Sequence, residues 1–544
     1  MIRKIAHKLK NSRPSDSINS AAFVIATAGI LSRVLGLLRD RILAAKFGAG
    51  DTLDIYYAAF RVPDLIYNLL ILGALSAAFI PVFTSLLAHE KKEEAWKLAN
   101  GLLTLAVVVL LFICGVFAIF TPFFMKLITP GFSGEKLAGV VLQTRIMFLS
   151  PIFLGISGIF GGILNSFKRF LVYSLAPLVY NLGIILGAIF LVPVFGIKGL
   201  AWGVVAGALF HMLLQYPAVR FSGFHLAPFL SLADTHLRKV LKLMIPRTMG
   251  LAVTQINLLV VTIIASTLSA GSLSIFNFAN NLQSFPLGVF AIPFALAVFP
   301  TLSHFAAKNE KGNFVNSFSQ TFRQILFFAI PASIFILVLR AQIVRVILGS
   351  GKFDWEDTIL TFQALGIFAV SLFAQCLVPL LARSFYALHN TKTPFLAGLA
   401  SEAVNLALAL IFSRMYGILG LVWAFSVSSI VNMFLLFFIL RAKTGDLDDK
   451  KIISVVAKIG LFSLVAGGAV QLTKYLISPY IDLDTFLGVF SQLGVSGAAG
   501  IAVFFALAYI FRLEEFDAVK KLLSGKFLRL RQSIPDDPTE ASGI

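Results

Sequence analysis

From about residue 21 the chain alternates long apolar stretches with short polar ones, and the apolar stretches set the architecture. About fourteen of them reach twenty residues or more, enough for a helix to cross roughly 30 Å of hydrocarbon. They lie near 21–47, 53–88, 100–125, 138–166, 171–194, 197–219, 241–267, 272–306, 318–339, 357–388, 394–413, 417–440, 452–476 and 485–511. The pattern predicts an all-α polytopic membrane protein. Lysine and arginine gather in alternate connections: His89 to Glu94, Lys168-Arg169, Arg220 to Lys242, Lys308 to Arg323, His389 to Lys392 and Arg441 to Lys451. By the positive-inside rule these face the cytoplasm, and an even number of spans places both termini there.

The pattern also repeats. Gly196-Ile-Lys-Gly-Leu-Ala-Trp202 returns as Gly417-Ile-Leu-Gly-Leu-Val-Trp423, and Phe79-Ile-Pro81 returns as Val298-Phe-Pro300, at offsets of 221 and 219 residues. Asn165-Ser-Phe167 corresponds loosely to Arg383-Ser-Phe385, and Asn181 to Asn405. An even number of spans per repeat keeps the two halves in one orientation, about an axis along the membrane normal. The expected organisation is a tail (1–18), a six-helix lobe (19–222), a cytoplasmic linker (223–240), a second six-helix lobe (241–441), two added helices within 452–511, and a basic tail (512–544) in which Leu513 to Leu530 reads as an inner-leaflet or solvated helix.

Composition narrows the class. Of 544 residues 58% are hydrophobic and only 13% charged, which excludes a soluble multidomain chain. The net charge of +19 invites nucleic acid, but the cations sit between apolar runs where a membrane protein needs them, so no nucleic-acid partner is expected. Two isolated cysteines, Cys114 and Cys376, suit inert thiols, and the seven histidines show no metal spacing. Gly349-Ser-Gly-Lys352 lacks the flanks of a phosphate loop and reads as a polar turn.

What these totals leave unexplained is charge inside the first span. Ala21 to Phe47 would make a helix of roughly 40 Å, and it carries Arg33, Arg39, Asp40 and Arg41. An arginine or aspartate at mid-membrane costs about 2.5–3.5 kcal/mol, against about 0.3–0.6 returned by each leucine or valine. Such a helix should face a watery cavity. At 100° per residue Ser32, Gly36 and Arg39 share one stripe and Arg33, Gly36 and Asp40 the next, with Gly36 permitting close approach or bending. In the plainer reading Arg39 and Arg41 snorkel to the interface and Arg33 pairs with Asp40. Arginines outnumber acids within the spans (Arg33, Arg39, Arg41, Arg61, Arg145, Arg247, Arg383 against Asp40, Asp54, Asp64, Glu402), and guanidinium forks suit phosphate oxygens. Arg145 and Arg383 alone read more simply as bonded to carbonyls or acids within their own bundle. Asp54 is expected to cap the second helix or pair with Arg61. No catalytic arrangement emerges, so the chain reads as a transporter of an anionic cargo.

Ser32-Arg-Val-Leu-Gly-Leu-Leu-Arg-Asp40, Phe47-Gly-Ala-Gly50, Ala59-Phe-Arg-Val-Pro63, Gly73-Ala-Leu-Ser-Ala-Ala-Phe-Ile-Pro81, Ala176-Pro-Leu-Val-Tyr-Asn181, Arg383-Ser-Phe-Tyr-Ala387 and Thr391-Lys-Thr-Pro394 together resemble the MurJ (MviN) family of lipid II flippases. The resemblance runs from about Ser17 to Arg441. It implies the multidrug/oligosaccharidyl-lipid/polysaccharide exporter fold, with two lobes and a lipid-tail groove made by the last two helices. It also implies export of lipid II, an undecaprenyl-pyrophosphate glycolipid, across the bacterial plasma membrane. By matching position Arg39 would contact pyrophosphate, supported by Ser32, Arg33, Asp40, Asp54 and Arg61. Family members commonly carry an arginine pair where this chain has Tyr67-Asn68, and Asp-Arg where it has Asn280-Asn281. Asn68, Asn280 and Asn281 are therefore expected as weaker donors, with Arg247 supplying charge. With no nucleotide motif in the chain no cofactor is expected; the membrane potential would drive the cycle, with a coupling cation near Asn405 or Glu402 left without a legible ligand set. Membrane lipids and other cell-wall synthesis proteins are the remaining expected partners. Rival readings are a flippase for another polyprenyl-linked oligosaccharide, a multidrug exporter of the same superfamily, and a membrane scaffold.

Overall fold

The computed structural model describes residues 18–72, 78–229, 231 and 233–517, with backbone but not side chains at 18–26, 72 and several positions within 245–254. The N-terminal basic tail, and the amphipathic stretch beyond Asp517, lie outside the described residues. The described chain is helical throughout, without a strand. Ten of its helices are long and apolar enough to cross a membrane. One of these, Lys392–Thr444, runs for 53 residues and turns at Gly417, so it holds the eleventh and twelfth expected spans. Ile18–Phe47 falls on the first expected span and Thr235–Ser266 on the seventh.

The second span is broken. Asp51–Ala59 stops at Phe60, Arg61–Tyr67 follows, and the backbone then widens into the π-helix Asn68–Leu72 before Ile80–Ala88. Pro63 explains the first break, since it has no N–H to return to the carbonyl of Ala59. A π turn leaves carbonyls for other donors, and Thr248 Oγ1 donates to Leu69 O at 3.1 Å. In span five the π-helix Gly187–Leu191 is served the same way, with Lys46 Nζ donating to Ala188 O at 2.9 Å.

The internal duplication extends to backbone geometry. Gly196 (φ 60, ψ −152) and Gly417 (φ 57, ψ −133) make the same left-sided turn, which disfavours any side chain. Three residues on, a Cβ at Gly199 would lie 2.4 Å from the carbonyl carbon of Leu191, and one at Gly420 2.0 Å from Phe412 O. Glu90 and Asn309 share a left-handed φ at the 219-residue offset, as do Lys168 and His389 at 221. The π-helix Asn68–Leu72 returns as Leu287–Ala291, also at 219.

By internal packing the chain forms two units, residues 1–285 with 344–368 and 391–432, and residues 286–343 with 369–390 and 433–544. In the first, spans five and six press backbone to backbone: a Cβ on Gly183 would come within 2.2 Å of Gly207 Cα, and one on Gly187 within 2.4 Å of Gly203 Cα. Small residues at i, i+4 are what allow helices this close where no hydrophobic force drives them together. In the second, Phe327, Ile459, Phe462, Ala466, Phe504 and Ala508 form a buried core around the two added helices, Asp449–Ile477 and Phe486–Ile510.

Candidate functional site

The charges of span one divide between two environments. Asp40 is 2% exposed, and its Oδ1 accepts from Arg39 Nη2 at 2.8 Å and Nε at 3.0 Å, while Oδ2 accepts from Asn281 Nδ2 at 2.8 Å. Arg39 completes its fork by donating Nη1–H to Asn181 Oδ1 at 3.1 Å. Asn181, Arg39, Asp40 and Asn281 thus form a chain from span five through span one to span eight. A buried carboxylate held by a guanidinium and an amide is stable only when both are present. Asn281 does donate, and its acceptor is the carboxylate of Asp40.

Arg33 stands two turns earlier and pairs with neither Asp40 nor any other described group. Half-buried, it opens with Ser32 onto a cavity of about 470 Å³, whose wall also includes Tyr67, Asn165, Tyr173 and His211. The plainer reading, in which Arg33 pairs with Asp40, is therefore corrected: adjacent Arg39 reaches that carboxylate first. Gly36 is not a close-approach point either, since a Cβ there would meet nothing within 4 Å. Arg41 does not snorkel but donates to the carbonyl of Val346, and Arg145 donates Nε–H to Ala118 O at 3.0 Å.

Asp54, 2% exposed, caps a helix, but span eight rather than span two, and it does not bond Arg61. Its carboxylate accepts from Gly271 N at 2.8 Å, Ser274 N at 3.0 Å and Ser274 Oγ at 2.8 Å, satisfying free amides at the start of Ser272–Pro286. The amide dipoles there favour the negative charge. Lys136 Nζ adds an ion pair at 3.3 Å and reaches Asp51 at 2.6 Å. The joint is tight: a Cβ on Gly271 (φ +85) would lie 2.0 Å from Ala49 O. The Gly349–Lys352 turn is polar as expected, and it closes on span one through Lys352 N, which donates to Ala45 O at 2.8 Å.

Arg61 is buried, donating to Thr262 Oγ1 at 2.7 Å and Asn277 Oδ1 at 3.1 Å. Asn68 lies half-buried in the π-helix beside Tyr67, and Asn280 accepts from Gln283 Nε2 at 3.1 Å. The side chain of Arg247 lies outside the described residues. Glu402 accepts from Asn257 Nδ2 at 2.6 Å and Asn405 Nδ2 at 3.4 Å, and the Oδ1 of fully buried Asn405 has no partner. Among the described residues no group of three His, Cys, Asp or Glu side chains is placed to hold a metal ion.

Of the ten expected site residues the structure brings together Ser32 with Arg33, and Arg39 with Asp40 and Asn281. The partners that sequence reading missed are neutral ones, Asn181, Thr262, Asn277 and Ser274, and the cation Lys136. Only Asn181 carried a signal, as a repeat marker within an apolar run.

Known proteins resemble this chain over most of its length. The sequence model of the family described as "Lipid II flippase MurJ" matches residues 43–491. A probable lipid II flippase MurJ from Vibrio cholerae is 29% identical over 517 residues, covering 93% of this chain and 98% of the relative. One from Thermotoga maritima is 31% identical over 456 residues, covering 83% and 90%. Among solved structures, a lipid II flippase MurJ in an inward closed conformation superposes with TM-score 0.75 at 27% identity, over 90% of this chain and 98% of that one. An inward-facing multidrug resistance transporter of the MATE family, itself described as of the MOP superfamily, reaches 0.66 at 15% identity over 79% and 99%, a likeness of fold alone.

Proposed function

This chain belongs to the lipid II flippase MurJ family, and we propose that Arg33 is the group that receives the pyrophosphate of the lipid it carries. The protein is a multi-pass inner-membrane flippase of lipid II, a transporter and not an enzyme. The observation that carries the proposal is the free guanidinium of Arg33 on a cavity of about 470 Å³, within the range of small-ligand sites of about 300–1,000 Å³. A guanidinium held half-buried without an acceptor is costly unless something anionic visits it. Arg39, by contrast, already has its acceptors, so its part is to fix the wall beside the cavity through Asp40 and Asn181.

Around this site we propose a transport cycle by alternating access. The two six-helix repeats act as the rocking lobes, spans thirteen and fourteen hold the prenyl tail, and both termini face the cytoplasm. Asp54 on the first amides of span eight is the latch of the opposite side. Outward movement of negative charge is favoured by an inside-negative potential, by about 2.3 kcal/mol per charge per 100 mV. A coupling cation near Glu402 and Asn405 fits the unpartnered Asn405 oxygen. Contacts with membrane lipids and with other cell-wall synthesis proteins complete the expected surroundings.

The test is lipid II translocation by the full chain in proteoliposomes. Two charge-assisted hydrogen bonds contribute about 1.5–3 kcal/mol each, so Arg33→Ala should lower translocation by about 100-fold or more, and Arg33→Lys should retain part of it. Wild-type rates in Arg33→Ala would overturn the assignment.

A further inference from the structure

Beyond Arg33, the same cavity holds a polar cluster that binding of an anion does not by itself require. His211 lies on its wall, together with Ser157 and Gln215. Ser157 is fully buried and Gln215 nearly so, while His211 is half-buried. Ser157 Oγ lies 2.6 Å from His211 Nδ1 and 3.2 Å from the carbonyl oxygen of His211, and it accepts from Gln215 Nε2 at 2.7 Å. The hydroxyl therefore has one proton and two acceptors within reach. With neutral imidazole it donates to Nδ1. With a proton on Nδ1 it turns to the carbonyl and accepts from Nδ1–H instead, and no hydrogen bond is lost in either state.

We propose that His211 is a proton site coupled to the anion cavity: cargo entering beside Arg33 is accompanied by a proton taken from cytoplasmic water onto His211 Nδ1. This deepens the reading of Arg33 as the pyrophosphate site and rests on it. Among the described residues Arg33 is the sole arginine, lysine or carboxylate side chain on that cavity wall, so an imidazolium there is repelled while the cavity is empty and attracted once two phosphate charges arrive. Each element around the cavity is accounted for: span one contributes Arg33, span two Tyr67, span five Tyr173, span six His211, and span four only neutral groups, Ser157 and Asn165 among them. Imidazole is the one side chain here whose ordinary range spans neutral pH. Reciprocity then requires that protons strengthen cargo binding by the factor by which cargo strengthens proton binding.

The experiment is calorimetric binding of a short-chain lipid II analogue to the full chain in detergent, at pH 6 and pH 8, in two buffers of different ionisation enthalpy. A pyrophosphodiester has no ionisation of its own near neutral, so protons taken up belong to the protein. Averaged between pH 6 and pH 8, wild type should take up between a half and one proton per analogue bound, and so bind about 10- to 100-fold tighter at pH 6. His211→Gln should bind with no uptake and the same affinity at both values. Ser157→Ala, which keeps the imidazole but removes its relay, should reduce the uptake. Absence of proton uptake in wild type overturns the proposal whatever the variants do, as does undiminished uptake in His211→Gln. If Arg33→Ala still binds the analogue as wild type does, the pyrophosphate assignment itself falls and takes the coupling with it. If Arg33→Ala loses binding while wild type shows no proton uptake, the assignment stands and only the proton site is lost.

Discussion

Arg33 and Arg39 sit on one helix, two turns apart, in the same run of leucines, and yet they do opposite things. Arg39 spends its fork on Asp40 and Asn181, inside a chain of four side chains that joins three spans. Arg33 has no acceptor among the described residues and looks into open space. Charge inside a membrane span is thus of two kinds, one that holds helices together and one kept available for a ligand, and supply of acceptors decides which. Asp40 sits next to Arg39, and no acid sits within a turn of Arg33.

The sharpest way to break this comparison is to remove each charge and follow stability instead of transport. Arg39→Gln leaves the buried carboxylate of Asp40 with only Asn281, a loss of about 3–5 kcal/mol. Arg33→Gln removes a cation that nothing offsets, and its melting temperature in detergent should match or exceed that of wild type. Equal destabilisation of the two variants would erase the distinction. A smaller effect is expected at Asp54. Asp54→Asn keeps the shape but offers one acceptor oxygen to Gly271 and Ser274 where there were two, and it weakens the pair with Lys136. A cost of about 2 kcal/mol should appear as a lower melting temperature.

The smallest effect belongs to an exposed pair. Beyond the last span, Glu514 is held below the usual carboxylate range, first by its hydrogen bond from Lys451 and also by that from Arg323. A lowered folded value means that its contribution is complete above the ordinary glutamate range, near pH 4.5, and is lost as pH falls through the lower folded value. Glu514→Gln should therefore melt slightly below wild type at pH 7, with the difference closing toward pH 3 and shrinking in high salt. A difference that grows on acidification would contradict the pairing.

Much of the fold was legible because it follows from long-range regularities: span length, the alternation of cations, and a duplicated pair of glycine turns. The site was legible in part. Arg33, Arg39 and Asp40 announce themselves by charge in an apolar run, but their roles depend on neutral partners 142 and 241 residues away, and an asparagine or serine in a helix carries no mark of what it bonds. Asp54 shows the same limit. Its position near the start of one helix suggested a local cap, and the amides it binds belong to another helix, brought near by tertiary packing.

The paired π-helices at Asn68–Leu72 and Leu287–Ala291 carry a mechanical consequence. Each wide turn stores one residue more than a regular helix would use over the same rise. Such a surplus can migrate along its helix one peptide at a time, and as it passes it swivels every side chain by about 100° without melting the rod. The surplus occupies the same place in both copies of the repeat. Spans two and eight thus carry a matched swivel, one in each half of the chain.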